Sequence, residues 1–501
     1  MPGVRLIRLR YSGVLPVILS IIFTFLSAAA ASAQDTDGFN DNSDLDPGAE
    51  AAPAGPLHFG KAILSGYLKN ETAYRFNEPR SITKIRNIFS LTARYPFSNS
   101  TSLTASGWAY YDLAYDLFDY ETIAARFVRD ENQPLVFVDN LSQEKDSPVA
   151  AIRELYVDVF RTNYDLRLGK QFVVWGVLEG MRITDEIDPL DFRELIAPDL
   201  LDYRIPLWTA KVDYYLQNST VEGIWIPDLR FHRPAPPGSE WELLQEVPNT
   251  TFPNSFTLRD SEIGVKLTRE ITGGEVAYSY FYTWDDFPVI FRSARIDSAT
   301  DPVFFPTYTR INIYGATIVK DIGGSILKGE IAYVPDKYFG LHNNTDKNGD
   351  GYLDNQGELK KRHIRWGLGL DFNIKGFDLS PAIAQWIILD YDRDLIQDQF
   401  DTSLTLFVRK PMWNQSAVFQ VLAIALVNLR ELYLKPKVIF NITDRFQIAT
   451  GMDLFYGKKS TLGLSASGGA VTNLNSVEQS AQFFGNFNDN NRVFAEFKYA
   501  F

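Results

Sequence analysis

The chain has 501 residues, no cysteine and a formal net charge of -13 at pH 7. Without cysteine there is no disulfide framework, thiolate metal site, thiol nucleophile or lipoprotein acylation site, and a sequence pI near 5.0 excludes the basic stripe a nucleic-acid surface needs. A mean hydropathy of -0.15 beside 14% aromatic residues suits a barrel wall, where lipid-facing apolar and lumen-facing polar residues alternate and average out.

In chain order, Arg5, Arg8 and Arg10 precede an apolar run from Val14 to Leu26 and an Ala31-Ser32-Ala33 site. This pattern predicts a secretory signal over 1–33. A retained transmembrane helix is the alternative, but the run is short for a bilayer and has no positively charged flank after it. Asp35 to Pro56 is acidic and rich in Ala, Pro and Gly, so 34–57 reads as a flexible periplasmic lead-in. No later stretch approaches the ~20 apolar residues of a spanning helix, which leaves strands to cross any membrane.

Residues 58–501 break into alternating segments of the length that crosses an outer membrane as a tilted strand. The candidates are 61–76, 81–95, 101–116, 150–161, 164–175, 207–217, 219–227, 257–269, 274–285, 307–320, 325–334, 362–373, 377–389, 401–410, 415–428, 432–442, 446–457 and 491–501. The expected fold is all-β: a transmembrane antiparallel up-and-down barrel of about 18 strands, with 16 as the alternative. Short connections such as Thr162-Asn163, Asn218 and Ile271 to Gly273 alternate with long ones such as 117–149, 176–206 and 335–361. That is the contrast between periplasmic turns and outer loops, which a soluble sandwich has no reason to show. The last strand, RVFAEFKYAF, sets Val493, Ala495, Phe497, Tyr499 and Phe501 on one face; its aromatic end resembles the signal read by the barrel assembly machinery.

If the turn of hairpin 150–175 is centred on Thr162-Asn163, Asp158 lies across from Arg167, Tyr156 from Gly169 and Glu154 from Gln171, all facing the lumen. Leu155, Val157, Val159, Leu166, Leu168, Phe172 and Val174 then face lipid, and Lys170 would too, so a bulge or an interfacial depth is expected there. Elsewhere Asp260, Glu262 and Lys266 oppose Ile263, Val265 and Leu267; His363, Arg365 and Asp371 oppose Ile364, Trp366 and Leu368; Lys435 and Lys437 oppose Leu434 and Val438. The lumen wall thus carries both signs of charge.

A barrel this wide leaves an aqueous hole unless something folds into it. Segment 176–206 is the candidate constriction, with Asp185, Asp188, Asp191 and Arg193 as its charged residues. Asp188 as N-cap, Pro189 at N1 and Asp191 at N3 predict a short helix over about Pro189 to Ile196. Whether the loop enters the lumen or covers the mouth is open at this stage.

RLGKQFVVWG, ITDEIDPLDFRE and YRIPLWTAKVDYYL together resemble an uncharacterised family of bacterial outer-membrane barrels, a domain of unknown function. The matching positions are Arg167, Gly169, Gln171, Trp175, Gly176, Asp185, Pro189, Asp191, and Gly485 to Val493. The chain is more distantly similar to alginate-export barrels, although Lys170 stands where Arg is common. The resemblance implies a barrel in the outer membrane of a Gram-negative bacterium and suggests transport, with hydrophobic compounds the usual class; it implies no site.

One further motif has its own chemistry. Asp346, Asn348, Asp350, Gly351, Tyr352 and Asp354 reproduce the D-x-N-x-D-G-x-x-D spacing of a calcium loop, Tyr352 offering its carbonyl. Gly357 holds the twelfth position and Glu358 the thirteenth, which excludes a regular sensor EF-hand. Ca2+ in this outer loop is expected to bind weakly, the alternative being an unliganded acidic loop.

Four His and no H-E-x-x-H or Ser-His-Asp pattern argue against an enzyme. The leading expectation is a channel for passive passage of a small or amphiphilic solute, narrowed by 176–206. The alternative is a surface receptor or adhesion protein whose calcium-ordered loop the barrel merely anchors. Expected partners are outer-membrane lipid and lipopolysaccharide, the assembly machinery and the solute.

Overall fold

The computed structural model describes residues 56–118, 123, 149–178, 180–195, 202–233, 235, 239–241, 250–296, 303–342, 345–458, 466–467, 470–471 and 483–501. The signal over 1–33 and most of the lead-in lie outside them. Period-2 alternation between short polar turns forms a closed ring of antiparallel strands: β1 (Ala62–Arg75), β2 (Ser81–Ser98), β3 (Thr101–Asp112), β4 (Val149–Phe160), β5 (Tyr164–Gln171), β6 (Leu207–Leu216), β7 (Ser219–Ile226), β8 (Glu262–Ile271), β9 (Gly274–Trp284), β10 (Arg310–Asp321), β11 (Ile326–Gly340), β12 (Glu358–Ile374), β13 (Phe377–Ile388), β14 (Phe400–Met412), β15 (Ala417–Leu426), β16 (Glu431–Asn441), β17 (Phe446–Tyr456) and β18 (Arg492–Ala500). Each pairs with its neighbour in sequence, and β18 closes on β1 with Tyr67 opposite Ala500 and Arg75 opposite Arg492. The short strand Leu57–Phe59 folds back on the start of β1, making the sheet nineteen-stranded.

The outer surface is apolar in the manner of a lipid-facing wall. Ile263, Val265 and Leu267 on β8, Tyr278 and Tyr280 on β9, Tyr314 on β10, Ile331 on β11 and Leu368 on β12 are all exposed, whereas their alternate neighbours are buried or half-buried. An exposed apolar belt of this extent marks a membrane surface. With eighteen strands, every connection at one end short and the long loops confined to the other, the protein has the architecture of a bacterial outer-membrane barrel.

Hairpin β4–β5 has Tyr156 opposite Gly169, Val157 opposite Leu168 and Asp158 opposite Arg167, the register its turn dictates. Gly169 has φ +138, and a Cβ there would overlap the Leu155 carbonyl oxygen and lie 2.6 Å from Tyr156 Cα, so only glycine fits. Arg167 stacks over the Tyr156 ring at 4.1 Å and binds Asp158 at 2.6 Å.

Two expectations for this hairpin fail at its outer end, while the bulge expected beside Lys170 is present. Glu154 and Gln171 are not paired, because the β4–β5 ladder stops at Leu155 opposite Lys170. The cause is a bulge: Ser106 pairs with Glu154 and Gly107 with Ile152, which leaves Arg153 as the extra residue. Lys170 stays on the outward face opposite Trp208, beside this bulge, and its Nζ donates to Ile152 O at 2.9 Å. Finally, β5 ends at Gln171 rather than running to 175, so Val174 lines an interior cavity instead of facing lipid.

Candidate functional site

Where β5 ends, the chain turns into the barrel. Gln171 is fully buried; its Nε2 donates to Thr209 O at 3.0 Å, pinning the end of β5 to β6. Trp175 then enters the wall's inner face: its indole N–H donates to Glu222 of β7 at 2.5 Å, and its ring presses where a Cβ on Gly264 of β8 would lie 2.6 Å away. Leu178, Met181, Ile183 and Ile187 follow, packed with Ile224, Phe281, Ile311, Ile313, Ala332, Val334 and Ala384. These strand residues sit on the face opposite the lipid belt, so the described residues of 173–187 lie inside the lumen along β7 to β13.

One carboxylate anchors it. Glu330 of β11 accepts from the amides of Val177 and Leu178, both at 2.6 Å, from Thr184 N at 3.0 Å and from Thr184 Oγ1 at 2.7 Å. Arg365 of β12 adds an ion pair to Glu186 at 2.7 Å. Within the loop, Arg182 donates to the backbone oxygens of Asp185 and Asp188 at 2.6 and 2.8 Å. Arg204 binds the Asp185 carboxylate and stands 3.7 Å from Asp188. Asp188 is fully buried, its carboxylate accepting from Val173 N at 3.1 Å. Burial pushes its carboxyl well above the usual range, against the pull of Arg204.

The expected helix from Pro189 is replaced by a single 3-10 turn, Phe192–Glu194, capped by Asp191 rather than Asp188. Tertiary bonds take the first turn away: the Leu190 amide donates to His232 Nδ1 at 2.9 Å and the Phe192 amide to Arg233 O at 2.8 Å, while Asp188 is committed to Val173. Residues 196–201 lie outside the described set. Arg193 closes on Asp191, Nε to Oδ1 at 2.8 Å.

Glu194 next reaches the opposite wall, half a circuit of the barrel from β11. It forms ion pairs with Lys84 and Arg86 of β2, which also bind Glu71 of β1 at 3.2 and 2.6 Å; Lys69 joins Glu71 at 2.8 Å. Burial opposes ionisation of Glu194, but Arg86 and Lys84 outweigh it and hold the carboxyl well below the usual range. Leu195 continues into a buried cluster with Trp241, Tyr433, Phe455, Phe484 and Phe487 on the β16–β17 side. The segment therefore crosses the lumen and is fastened to three parts of the wall.

Of the sequence-derived residues, Asp185, Asp188, Asp191 and Arg193 come together in this crossing loop. Glu154, Asp158 and Arg167 stay on the wall of β4–β5, and Gln171 marks where the loop departs. Glu194, Arg204, Glu330 and Trp175 carry most of the anchoring and were not picked out as site residues. The available signal was glycine at inward positions of β8 and β12: a Cβ at Gly367 would overlap Ile183 and lie 2.6 Å from Leu178.

In the outer loop, Asp346 accepts from the amides of Gly349, Asp350 and Gly351 at 2.7, 3.2 and 2.9 Å. Asn348 accepts from Asp350 N, Asp350 from Tyr352 N and Asp354 from Lys347 N, each at 2.8–2.9 Å. Glu358 is held apart, 3.3 Å from Arg292. Among the described residues no three carboxylate or imidazole groups converge on a common point.

Among solved structures the chain is similar to the OccAB3 protein of Acinetobacter baumannii, at 9% identity and a TM-score of 0.47, over 88% of this chain and 100% of that one. Against OccK8 (OprE) of Pseudomonas aeruginosa the values are 10%, 0.44, 88% and 97%, and against in-vitro folded OmpT of Vibrio cholerae 11%, 0.38, 88% and 99%. No curated protein matches the sequence. A family model described as "Protein of unknown function (DUF1302)" matches residues 70–501, nearly the whole barrel, and the chain belongs to that family.

Proposed function

We propose that the protein is an outer-membrane channel for passive passage of a small or amphiphilic solute, with the lumen narrowed by the segment between β5 and β6. The observation that carries this reading is the crossing itself: Glu330 on β11 and Lys84 and Arg86 on β2 hold one loop from opposite walls. An eighteen-stranded wall left empty encloses a water-filled hole, and a loop spanning it sets the cross-section that a solute meets. A barrel serving only as an anchor for surface loops gains nothing from an ordered bridge through its middle. Planar-bilayer recording tests the reading. Deleting 180–202 should raise the single-channel step severalfold; a barrel silent with and without the loop would favour the receptor alternative.

Calcium in the 346–358 loop is a second, separate proposal resting on the ligand spacing. Asp346 already caps three amides of the loop, and Asp350 and Asp354 would turn inward on binding, while Glu358 stays with Arg292.

A further inference from the structure

The wall of the barrel has a seam. Between β3 and β4 the ladder runs from Thr101 opposite Val159 out to Tyr110 opposite Val149, but between β4 and β5 it stops at Leu155 opposite Lys170, and β5 itself leaves the wall after Gln171. The outer part of β4, above Leu155, is therefore bonded to β3 along one edge and, among the described residues, to no strand along the other. Ile152, Leu168 and Trp208 around this edge are exposed apolar residues of the lipid-facing wall. At that depth lipid tails cannot satisfy amides and carbonyls, so an unpaired strand edge is costly.

Side chains close the seam instead. On the lipid side Lys170 Nζ donates to Ile152 O. On the lumen side Arg153, the extra residue of the bulge, donates through Nη1 to Arg204 O at 3.1 Å and to Asp202 O at 3.4 Å, on the segment that returns to the wall ahead of β6. Its guanidinium lies over the rings of Trp108 at 4.3 Å and Phe172 at 4.9 Å. The path through the seam is thus bordered by two aromatic rings inside and by Ile152 and Trp208 outside. Behind the Arg153 latch, Tyr203 and Arg204 border the cavity of about 290 Å³ beneath the crossing loop. Side-chain rotamers turn over far faster than a strand ladder opens, so this is the place where the wall can part without unzipping.

We propose that the seam between β4 and β5 is a lateral outlet, through which a small, largely apolar solute passes between the lumen and the outer leaflet when Arg153 and Lys170 let go. This inference rests on the channel reading and deepens it: the solute leaves sideways into lipid and never crosses the polar headgroup layer. A strongly hydrated solute gains nothing from the route, because the open seam offers it only aromatic and aliphatic walls and then hydrocarbon. The bulge acquires a role as well, since the inserted residue takes Arg153 out of the ladder and turns it to the lumen side.

Uptake of N-phenylnaphthylamine, an apolar dye that fluoresces on entering lipid, tests it in a Gram-negative host whose outer leaflet excludes the dye. The wild-type barrel should raise uptake severalfold over the host alone, and Arg153→Ala, which removes the lumen-side latch, should raise it at least about threefold further. Lys170→Met, on the lipid side, should act in the same direction. The chain has no cysteine, so Arg153→Cys combined with Asp202→Cys sets the only two thiols across the seam, a gap about one arginine side chain wide. Joining them with a short bis-maleimide should return uptake to the host level, whereas either single-cysteine variant treated alike should keep it. Heat-modifiable migration on gels verifies that each variant has closed. Uptake indifferent to the crosslink, or equal in wild type and Arg153→Ala, would overturn the proposal. Planar-bilayer recording separates the two readings: a conducting barrel whose dye uptake ignores the crosslink defeats the outlet alone, whereas a silent barrel whose dye uptake stops on crosslinking defeats the water-filled channel and leaves the outlet standing.

Discussion

Glu330 offers the sharpest test of the crossing loop, because one carboxylate on β11 satisfies three backbone amides and a hydroxyl of a segment about 150 residues earlier in the chain. Glu330→Ala removes all four bonds and leaves the Leu178 and Thr184 amides facing a gap in a region where both residues are buried. A hydrogen bond to a charged acceptor contributes roughly 1.5–3 kcal/mol. Four bonds sharing one carboxylate are not additive, and water entering the vacated space recovers part of the loss. A net cost of about 3–5 kcal/mol to the docked loop follows, comparable to breaking a buried charge contact by removing one partner. Trp175 on Glu222, Glu186 on Arg365 and the apolar cluster remain, so the loop should open more often rather than be lost. Hydrogen-exchange mass spectrometry of peptides covering 172–195 should show amides 177, 178 and 184 exchanging about a hundredfold faster or more, and single-channel records should gain larger, noisier open levels. Glu330→Gln, which keeps an acceptor oxygen, should fall between. Heat-modifiable migration on gels must stay normal, showing an intact barrel. Unchanged exchange and conductance in Glu330→Ala would refute the claim that this carboxylate holds the loop.

Other consequences are more local. Gly169→Ala should destabilise the barrel by roughly 2–4 kcal/mol, since φ +138 and the contact with Leu155 O and Tyr156 Cα forbid a side chain there; a urea midpoint in detergent equal to wild type would show that the β4–β5 register is misread. Acidification should stabilise the closed loop, because burial raises the carboxyls of Asp188 and of Asp286, which follows β9 and stands 3.8 Å from Arg182 of the loop, above their usual 3.8. Groups with a raised folded pKa favour the packed state fully below the unfolded value and withdraw that support as pH climbs through the folded value. Glu194 behaves oppositely: its contribution is present above the unfolded value near 4.5 and fades only as pH falls through a much lower one. Its ion pairs therefore hold across the window in which Asp188 and Asp286 take up protons. Mean conductance should fall as pH is lowered toward the usual carboxyl value of 3.8 and flatten in an Asp188→Asn, Asp286→Asn variant; a rise on acidification would contradict this. Calcium added to the solubilised protein should give heat with a dissociation constant of about 0.1–1 mM, lost in Asp350→Asn, and no heat at millimolar ion would remove the calcium proposal.

The wall was legible because its rules are local. Alternation along ten residues and turn residues at each end specify a strand without reference to any other part of the chain, and the turn at Thr162-Asn163 alone sets Asp158 against Arg167. The loop followed other rules. Glu330 and Thr184 are 146 residues apart, and Glu194 and Arg86 are 108 apart; no spacing pattern connects them. Where a local rule did speak, at Asp188-Pro189, it named a helix start that the tertiary environment overrode: Asp188 had a buried amide to satisfy at Val173, and the chain settled for one 3-10 turn three residues later. Capping propensity is worth about 1 kcal/mol, less than several buried hydrogen bonds to neighbouring segments.

The two stretches of sequence singled out at 167–191 and 485–493 acquire a physical meaning once the loop is placed. Gln171 ties the last residue of β5 to β6, Trp175 wedges against Gly264, and a Cβ on Gly176 would stand 2.8 Å from Asp185 Cβ. Asp185 then holds Arg204 as the chain returns to the wall. Taken in order, these residues steer the chain out of the wall and back again. The second stretch begins at Gly485, whose amide, with those of Phe483 and Phe484, is gathered by the Glu431 carboxylate at 2.9–3.1 Å. That arrangement sets Phe484 and Phe487 into the cluster that receives Leu195. The stretches at 167–191 and 485–493, separated by some three hundred residues of sequence, are thus joined through Leu195: one launches the bridge and the other builds the socket where it lands. A sequence that kept the strands but changed either stretch would still close a barrel, and the cross-section of its lumen is what would differ.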